Sequence, residues 1–211
     1  MVKLPQIPPP IDELQAIGPE ICTVAAETIL LRIYFRGGDY PSVWNEFRNY
    51  GPVNARFDHH PEPPDVYPDF GIYYAAQALT TCLAEVFQDM RTINTVRRQP
   101  WLCALELCRD LRLLDLTGRW PTRAGASMKI NSGPRASSRA WSRQFYSAFP
   151  DVDGVYYCSS MHANEPSVAL YERAADALPE APMDNRPLED RLLLGDMKRV
   201  SKALNYDLVI S

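Results

Sequence analysis

The amino-acid sequence predicts an α+β fold of mostly antiparallel strands in a split or two-sheet core with flanking helices. Three observations predict it. Segments with strand character outnumber long helical ones. The alternation of strand, glycine loop and helix that builds a parallel sheet does not recur. No internal repeat is visible. A chain of 211 residues, 46% hydrophobic and 23% charged, suits one well-covered core.

The 19 prolines cannot sit inside helices or central strands, so they punctuate the chain into elements. Leu4 to Pro10 reads as an extended arm, and Ile11 to Glu27 carries a weak helical pattern. The β-branched run Thr28 to Phe35 is expected to be the first strand, broken by Gly37, Gly38 and Pro41. Trp44 to Pro52 is aromatic and irregular, a packed mini-core or a docking rim, and Asp58 to Pro64 must be a loop. Gly71 to Ala75 reads as a strand. Ala76 to Met90 reads as the clearest helix, with Leu79, Cys82, Leu83, Val86, Phe87 and Met90 at steps of three and four. Glu85 then stands at the border of the apolar stripe, where a carboxylate can face a cleft.

Trp101 to Leu107 and Leu111 to Leu116 suggest an antiparallel hairpin or meander across Cys108-Arg109-Asp110. Thr117 to Phe149 is polar, with a helix around Ser138 to Ala148. Gly154 to Ser159, Ser167 to Tyr171 and Tyr206 to Ile210 complete the set of expected strands.

Charge and motifs exclude several functions. With 22 Lys+Arg against 26 Asp+Glu and no basic block, the chain gains little from counterion release and lacks a polybasic lipid anchor, so neither nucleic acid nor membrane is an expected partner. No run nears the roughly 20 apolar residues of a membrane span. Met1 to Pro10 has no secretory apolar core, so a cytoplasmic location is expected. Cys22, Cys82, Cys103, Cys108 and Cys158 are odd in number and form no CxxC pair, which favours reduced, mostly packed thiols over a zinc site. Neither GxGxxG nor a P-loop is present. His59-His60 lacks the spacing of a metal pair and reads as a solvated loop, and no metal is expected. Cys158 with His162 as nucleophile and base is a minor reading beside simple packing.

Two arginines stand out. Arg32 lies within an apolar strand, so it needs an anion, an internal salt bridge or a wet face. Arg56 follows a loop, and its five-donor fork suits phosphate or carboxylate equally. Tyr73-Tyr74 and Tyr156-Tyr157 each place one ring in the core and leave the other free for stacking.

Taken in order, Leu31-Arg32-Ile33-Tyr34, Ala55-Arg56-Phe57, Gly71 to Ala76 leading into Leu83-Ala84-Glu85-Val86, and Gly154 to Ser159 resemble the RES domain, over about residues 28 to 175. The resemblance implies an arm and short helix over 1–27 and a single catalytic domain over 28–211. It implies an ADP-ribosyltransferase-like fold and the toxin of a RES–Xre type II toxin–antitoxin pair, with NAD⁺ as substrate and no cofactor. An Xre-type antitoxin and a second copy of the chain are the protein partners it suggests. Carried over residue by residue, the catalytic set is Arg56, Tyr74, Glu85 and Ser159, with Arg32, Arg56, Tyr74 and Ser159 on NAD⁺; Ser160 is the neighbouring alternative to Ser159.

Such an enzyme breaks the nicotinamide–ribose bond through an oxocarbenium-like state that a carboxylate stabilises. Water, phosphate or a protein side chain would each serve as acceptor. Protein-modifying transferases often carry a second Glu or Gln two residues before the key glutamate, where this chain has Leu83. A protein-modifying transferase and a non-catalytic module with an Arg56–Glu85 ion pair are the competing readings.

Overall fold

A computed structural model describes residues 7–210, so the start of the N-terminal arm, through Gln6, lies outside the described residues. In chain order it gives α1 (Ile11–Ile17), β1 (Ile21–Val24), β2 (Ile29–Phe35), β3 (Tyr50–Gly51), β4 (Asp65–Val66), β5 (Ile72–Ala76) and α2 (Leu79–Val86). There follow β6 (Thr92–Asn94), β7 (Pro100–Glu106), β8 (Leu111–Asp115), α3 (Trp120–Arg123), α4 (Arg135–Ala148), β9 (Gly154–Cys158), β10 (Pro166–Tyr171), β11 (Asp184–Pro187), α5 (Leu194–Leu204) and β12 (Asp207–Val209).

Eight strands share one sheet in the order β1-β8-β9-β10-β5-β2-β7-β11, antiparallel throughout except for β8 beside β9. β1 and β2 stand five strand spacings apart in that order, about 24 Å if the sheet were flat. Yet only residues 25–28 join them, a link that spans at most about 18 Å. The sheet therefore curls until β1 approaches the start of β2. Val24, Leu30, Tyr34, Leu105, Leu107, Leu111, Leu113, Val168 and Leu170 fill one buried cluster inside the curl.

Helices cover the outer faces. α1, α3 and α4 bury Leu14, Trp120, Trp141 and Phe145 against Leu114, Val155 and Tyr171. α2 and α5 bury Cys82, Leu83, Met197 and Val200 against Ile33, Ala76 and Leu102.

In place of the split or two-sheet core expected from sequence, the main sheet is continuous, with one weak seam. β2 and β5 are joined by a single residue pair, Leu31 with Ala76, while β2 pairs with β7 along all seven of its residues. Beyond Leu31 the two strands diverge. Arg32, Ile33 and Phe35 on one and Ile72 and Tyr74 on the other line the opening between them.

Several sequence expectations are corrected. The 11–27 stretch is helical only to Ile17; Ile21–Val24 forms an edge strand on β8, so β2 is the second strand. Gly18, at φ 71, ends the helix with a conformation open to glycine. The helix read over Ala76–Met90 is confined to Leu79–Val86. β7 and β8 do not form a hairpin, because β7 pairs with β2 and β11 while β8 pairs with β1 and β9. Sequence adjacency favoured the hairpin, and the non-local partners overrode it. Tyr206 to Ile210 supplies β12, which pairs in parallel with β6 outside the main sheet. α5, β6 and β11 were not anticipated. The Asp58–Pro64 stretch is a loop, as read, but a buried one: Asp58, His59 and His60 are at most 1% exposed.

Candidate active site

The opening between β2 and β5 widens into a cavity of about 810 Å³, walled by α2, the 48–56 loop and the start of α4. Arg32, Arg56, Tyr74, Glu85 and Ser160 line it, together with Arg48, Arg98, Arg135 and Tyr157.

Glu85 stands on the last turn of α2, one residue beyond the fully buried Thr81–Ala84 stretch that locks the helix onto the sheet. Its Oε1 accepts a 2.5 Å hydrogen bond from Ser159 Oγ. Ser159, just past the end of β9, is fully buried, and its oxygen in turn accepts from the Met161 and His162 backbone N–H groups at 3.2 and 3.1 Å. Both acceptor positions of the hydroxyl are thus occupied by fixed amides, which leaves its proton for Glu85. Ser160, the alternative, is exposed at the cavity wall. The two serines are separated by role: one orients the carboxylate, the other faces the space.

Arg56 is placed by its neighbours. Phe57 is buried at φ 62, a left-handed conformation costly for a bulky residue, and is pinned by Ser142 Oγ donating to its carbonyl at 2.8 Å. Tyr74 donates from its hydroxyl to the Arg56 carbonyl at 2.8 Å. The guanidinium spends Nη1 on Ile130 O, Gly133 O and Ser138 Oγ at 3.3, 2.9 and 3.2 Å. Burial, then the neighbouring Arg135 charge, lowers its pKa from the usual arginine value. No Arg56–Glu85 ion pair forms among the described residues, which removes the structural role weighed for that pair.

Arg32 shares a strand face with Leu30 and Tyr34. It solves its burial without the internal salt bridge considered above. Its guanidinium stacks 4.1 Å from the Tyr73 ring centre, and Nη1 donates to Glu46 O at 2.8 Å. Tyr73 and Tyr157 are the core members of their pairs and Tyr74 and Tyr156 the half-buried ones, although Tyr157 also reaches the cavity wall. Trp44 and Phe47 pack against the core, as a mini-core would. Cys158 is buried and burial raises its pKa, while His162 Nδ1 meets Thr81 Oγ1 at 2.9 Å, so the thiol–imidazole pair is absent.

Sequence reading missed the scaffold under the arginine loop. Arg48 Nη2 donates to Asp58 Oδ2 at 2.8 Å, His60 Nδ1 lies 2.6 Å from Asp58 Oδ1, and the Val53 N–H donates to Asp58 Oδ2 at 2.8 Å. These contacts hold the Asp58 carboxyl well below the usual carboxylate range despite its burial. His59 Nε2 pairs with Glu172 Oε2 at 3.2 Å. A polar run between prolines carries no periodicity from which such partners, up to 113 residues away, are readable.

The family model of the RES domain matches residues 29–190, most of the chain. This chain belongs to the RES domain family. No curated protein matches it by sequence. Among solved structures, the RES chain is similar to a chain of the crystal structure of the M. tuberculosis MbcT–MbcA toxin–antitoxin complex, at 16% identity and a TM-score of 0.55, over 84% of this chain and 91% of that one. That similarity is one of fold. Among the described residues of this RES domain, no helix is long and apolar enough to cross a membrane.

Proposed function

We propose that this RES domain is the toxin of a bacterial toxin–antitoxin pair and degrades cytoplasmic NAD⁺ by cleaving the nicotinamide–ribose bond. The carrying observation is the Ser159–Glu85 hydrogen bond beside arginines in one cavity. A volume of about 810 Å³ lies within the range of ligand pockets, roughly 300–1,000 Å³.

In this reading Glu85 is the catalytic carboxylate. As neutral nicotinamide leaves, positive charge grows on the ribose, and a fixed carboxylate bonded to a ribose hydroxyl stabilises that state more than the ground state. Ser159 holds Glu85 in one orientation, so no reorganisation is needed during bond cleavage. Arg56 and Arg32 supply guanidinium donors to the diphosphate, which anchors the substrate away from the breaking bond. Tyr74 flanks the nicotinamide ring while its hydroxyl fixes the Arg56 backbone. The fold in this reading is ADP-ribosyltransferase-like, NAD⁺ is substrate rather than cofactor, and no metal takes part.

Water or phosphate is the favoured acceptor. Leu83, two residues before Glu85, is fully buried, so a second acidic group from that position does not face the cleft. An Xre-type antitoxin is the proposed partner, silencing the enzyme by blocking the cavity, and a homodimer is the proposed assembly.

The test is incubation of purified protein with NAD⁺, with and without inorganic phosphate, beside Glu85→Gln. Nicotinamide release that falls by about 10²–10³ in the variant supports the reading, and the ribose product identifies the acceptor. Folded wild-type protein that releases no nicotinamide under either condition overturns it.

A further inference from the structure

Arg56 and Arg135 hold each other's chain segments in a reciprocal clasp. Arg56 Nη1 donates to the carbonyl of Gly133, two residues before Arg135, at 2.9 Å. Arg135 Nη1 donates to the carbonyl of Asn54, two residues before Arg56, at 3.1 Å. Arg135 Nη2 reaches in addition to Gln88 Oε1 at 2.8 Å, and Gln88 Nε2 donates to the Glu85 carbonyl at 2.6 Å. Arg135 thereby joins the arginine loop to the end of the helix that carries Glu85.

Every acceptor these two guanidiniums use is uncharged: carbonyls, a hydroxyl and an amide. Arginines elsewhere divide: Arg32, Arg139 and Arg173 likewise use only uncharged acceptors, whereas others bind carboxylates. Arg109 binds Asp153, Arg186 binds Asp184, and Arg48 at the same cavity binds Asp58. Two cations set side by side repel each other, and the Arg135 charge is, after burial, what lowers the Arg56 pKa, with Glu85 acting the other way. Among the described residues, Arg56 Nε and Nη2 have no protein acceptor, and neither does Arg135 Nε. Both side chains line the cavity. An anion that bridged the pair would relieve the repulsion and use those remaining donors.

We propose that Arg56 and Arg135 form a single phosphate clamp, with Arg135 a substrate-contacting residue on the α4 side of the cavity. The anion is a phosphate group, either in the diphosphate of the dinucleotide or free in solution. This rests on the reading above for the reaction, but binding alone tests it.

The full-length protein, Arg135→Gln and Arg135→Lys are titrated calorimetrically with ADP-ribose and, separately, with inorganic phosphate. Circular dichroism and melting confirm that each variant is folded. Arg135→Gln is expected to weaken ADP-ribose binding by about tenfold or more, with Arg135→Lys in between because lysine keeps the charge and loses the fork. KM for NAD⁺ rises more than kcat falls, and the effect on nicotinamide riboside, which carries no phosphate, is small. A loss confined to inorganic phosphate assigns the clamp to the free anion.

Unchanged binding of both ligands in folded Arg135→Gln overturns the clamp, as does wild-type protein that binds neither. An equal loss with nicotinamide riboside reduces Arg135 to a structural brace and also overturns it. Should Arg135→Gln not fold, Arg135→Lys and the salt dependence of wild-type ADP-ribose binding decide, a flat salt profile counting against the clamp. Arg135-dependent ADP-ribose binding without nicotinamide release would sink the proposed reaction and leave the clamp standing.

Discussion

A buried hydroxyl with both lone-pair positions filled can act on a carboxylate in only one direction. Ser159 is in that state, and its proton goes to Glu85. Deleting the hydroxyl leaves a half-buried carboxylate free to rotate, and hydrogen bonds to charged groups contribute about 1.5–3 kcal/mol. Ser159→Ala is therefore expected to lower kcat for nicotinamide release by about 10–100-fold with a smaller change in KM. Ser160→Ala, altering an exposed hydroxyl, is expected to stay near wild type. Steady-state kinetics on the two variants checks this, and a larger loss from Ser160→Ala would reverse the assignment of roles.

Elements position these side chains by close backbone approach as much as by apolar burial. β9 delivers Ser159 and is squeezed between β8 and β10. At its start, a Cβ added to Gly154 would lie 2.3 Å from the Ala169 carbonyl oxygen and 2.8 Å from Leu170 Cα, both backbone atoms that cannot swing aside. Gly154→Ala should cost about 1–3 kcal/mol as overpacking. Gly195 in α5 has open space around its would-be Cβ, so Gly195→Ala should be neutral or stabilising by up to about 1 kcal/mol. Denaturant midpoints of the two variants give the comparison; equal midpoints would mean that β9 adjusts freely.

At the scale of the molecule, the buried polar network ties the arginine loop to the end of β10 and to α4. Glu172 accepts from His59, from the Tyr146 hydroxyl at 2.6 Å and from the Gly71 N–H at 3.0 Å. Burial opposes its charge, yet these bonds lower its pKa to about 2 from 4.5. A depressed carboxylate contributes stability that is present above the unfolded pKa and is lost as pH falls from about 4.5 toward 2. His59 is depressed by burial, with Glu172 acting the other way, so the unfolded chain takes its proton first and stability declines below pH 6.5. The melting temperature should thus fall in two stages as pH drops from 7 to 3. Glu172→Gln should flatten the lower stage, and an unaltered acid slope in that variant would assign the loss to other carboxylates.

Local patterning by itself determined the class of fold, the span of β2, β5, β9 and β10, the core on α2 and the border position of Glu85. Alternation and helical spacing are short-range signals, and burial of one face follows from them directly. The RES blocks likewise brought Arg56, Tyr74, Glu85 and Ser159 to attention one residue at a time. Only tertiary structure decided that β7 and β8 part company, that the sheet opens at Leu31 and Ala76, and that His59 and His60 are buried on carboxylates. It also decided which serine holds Glu85 and that Arg135 meets Arg56. Apart from the local His60–Asp58 contact, those outcomes depend on groups tens of residues apart, whose pairing is set by how a curled sheet closes and leaves no periodic trace in the chain.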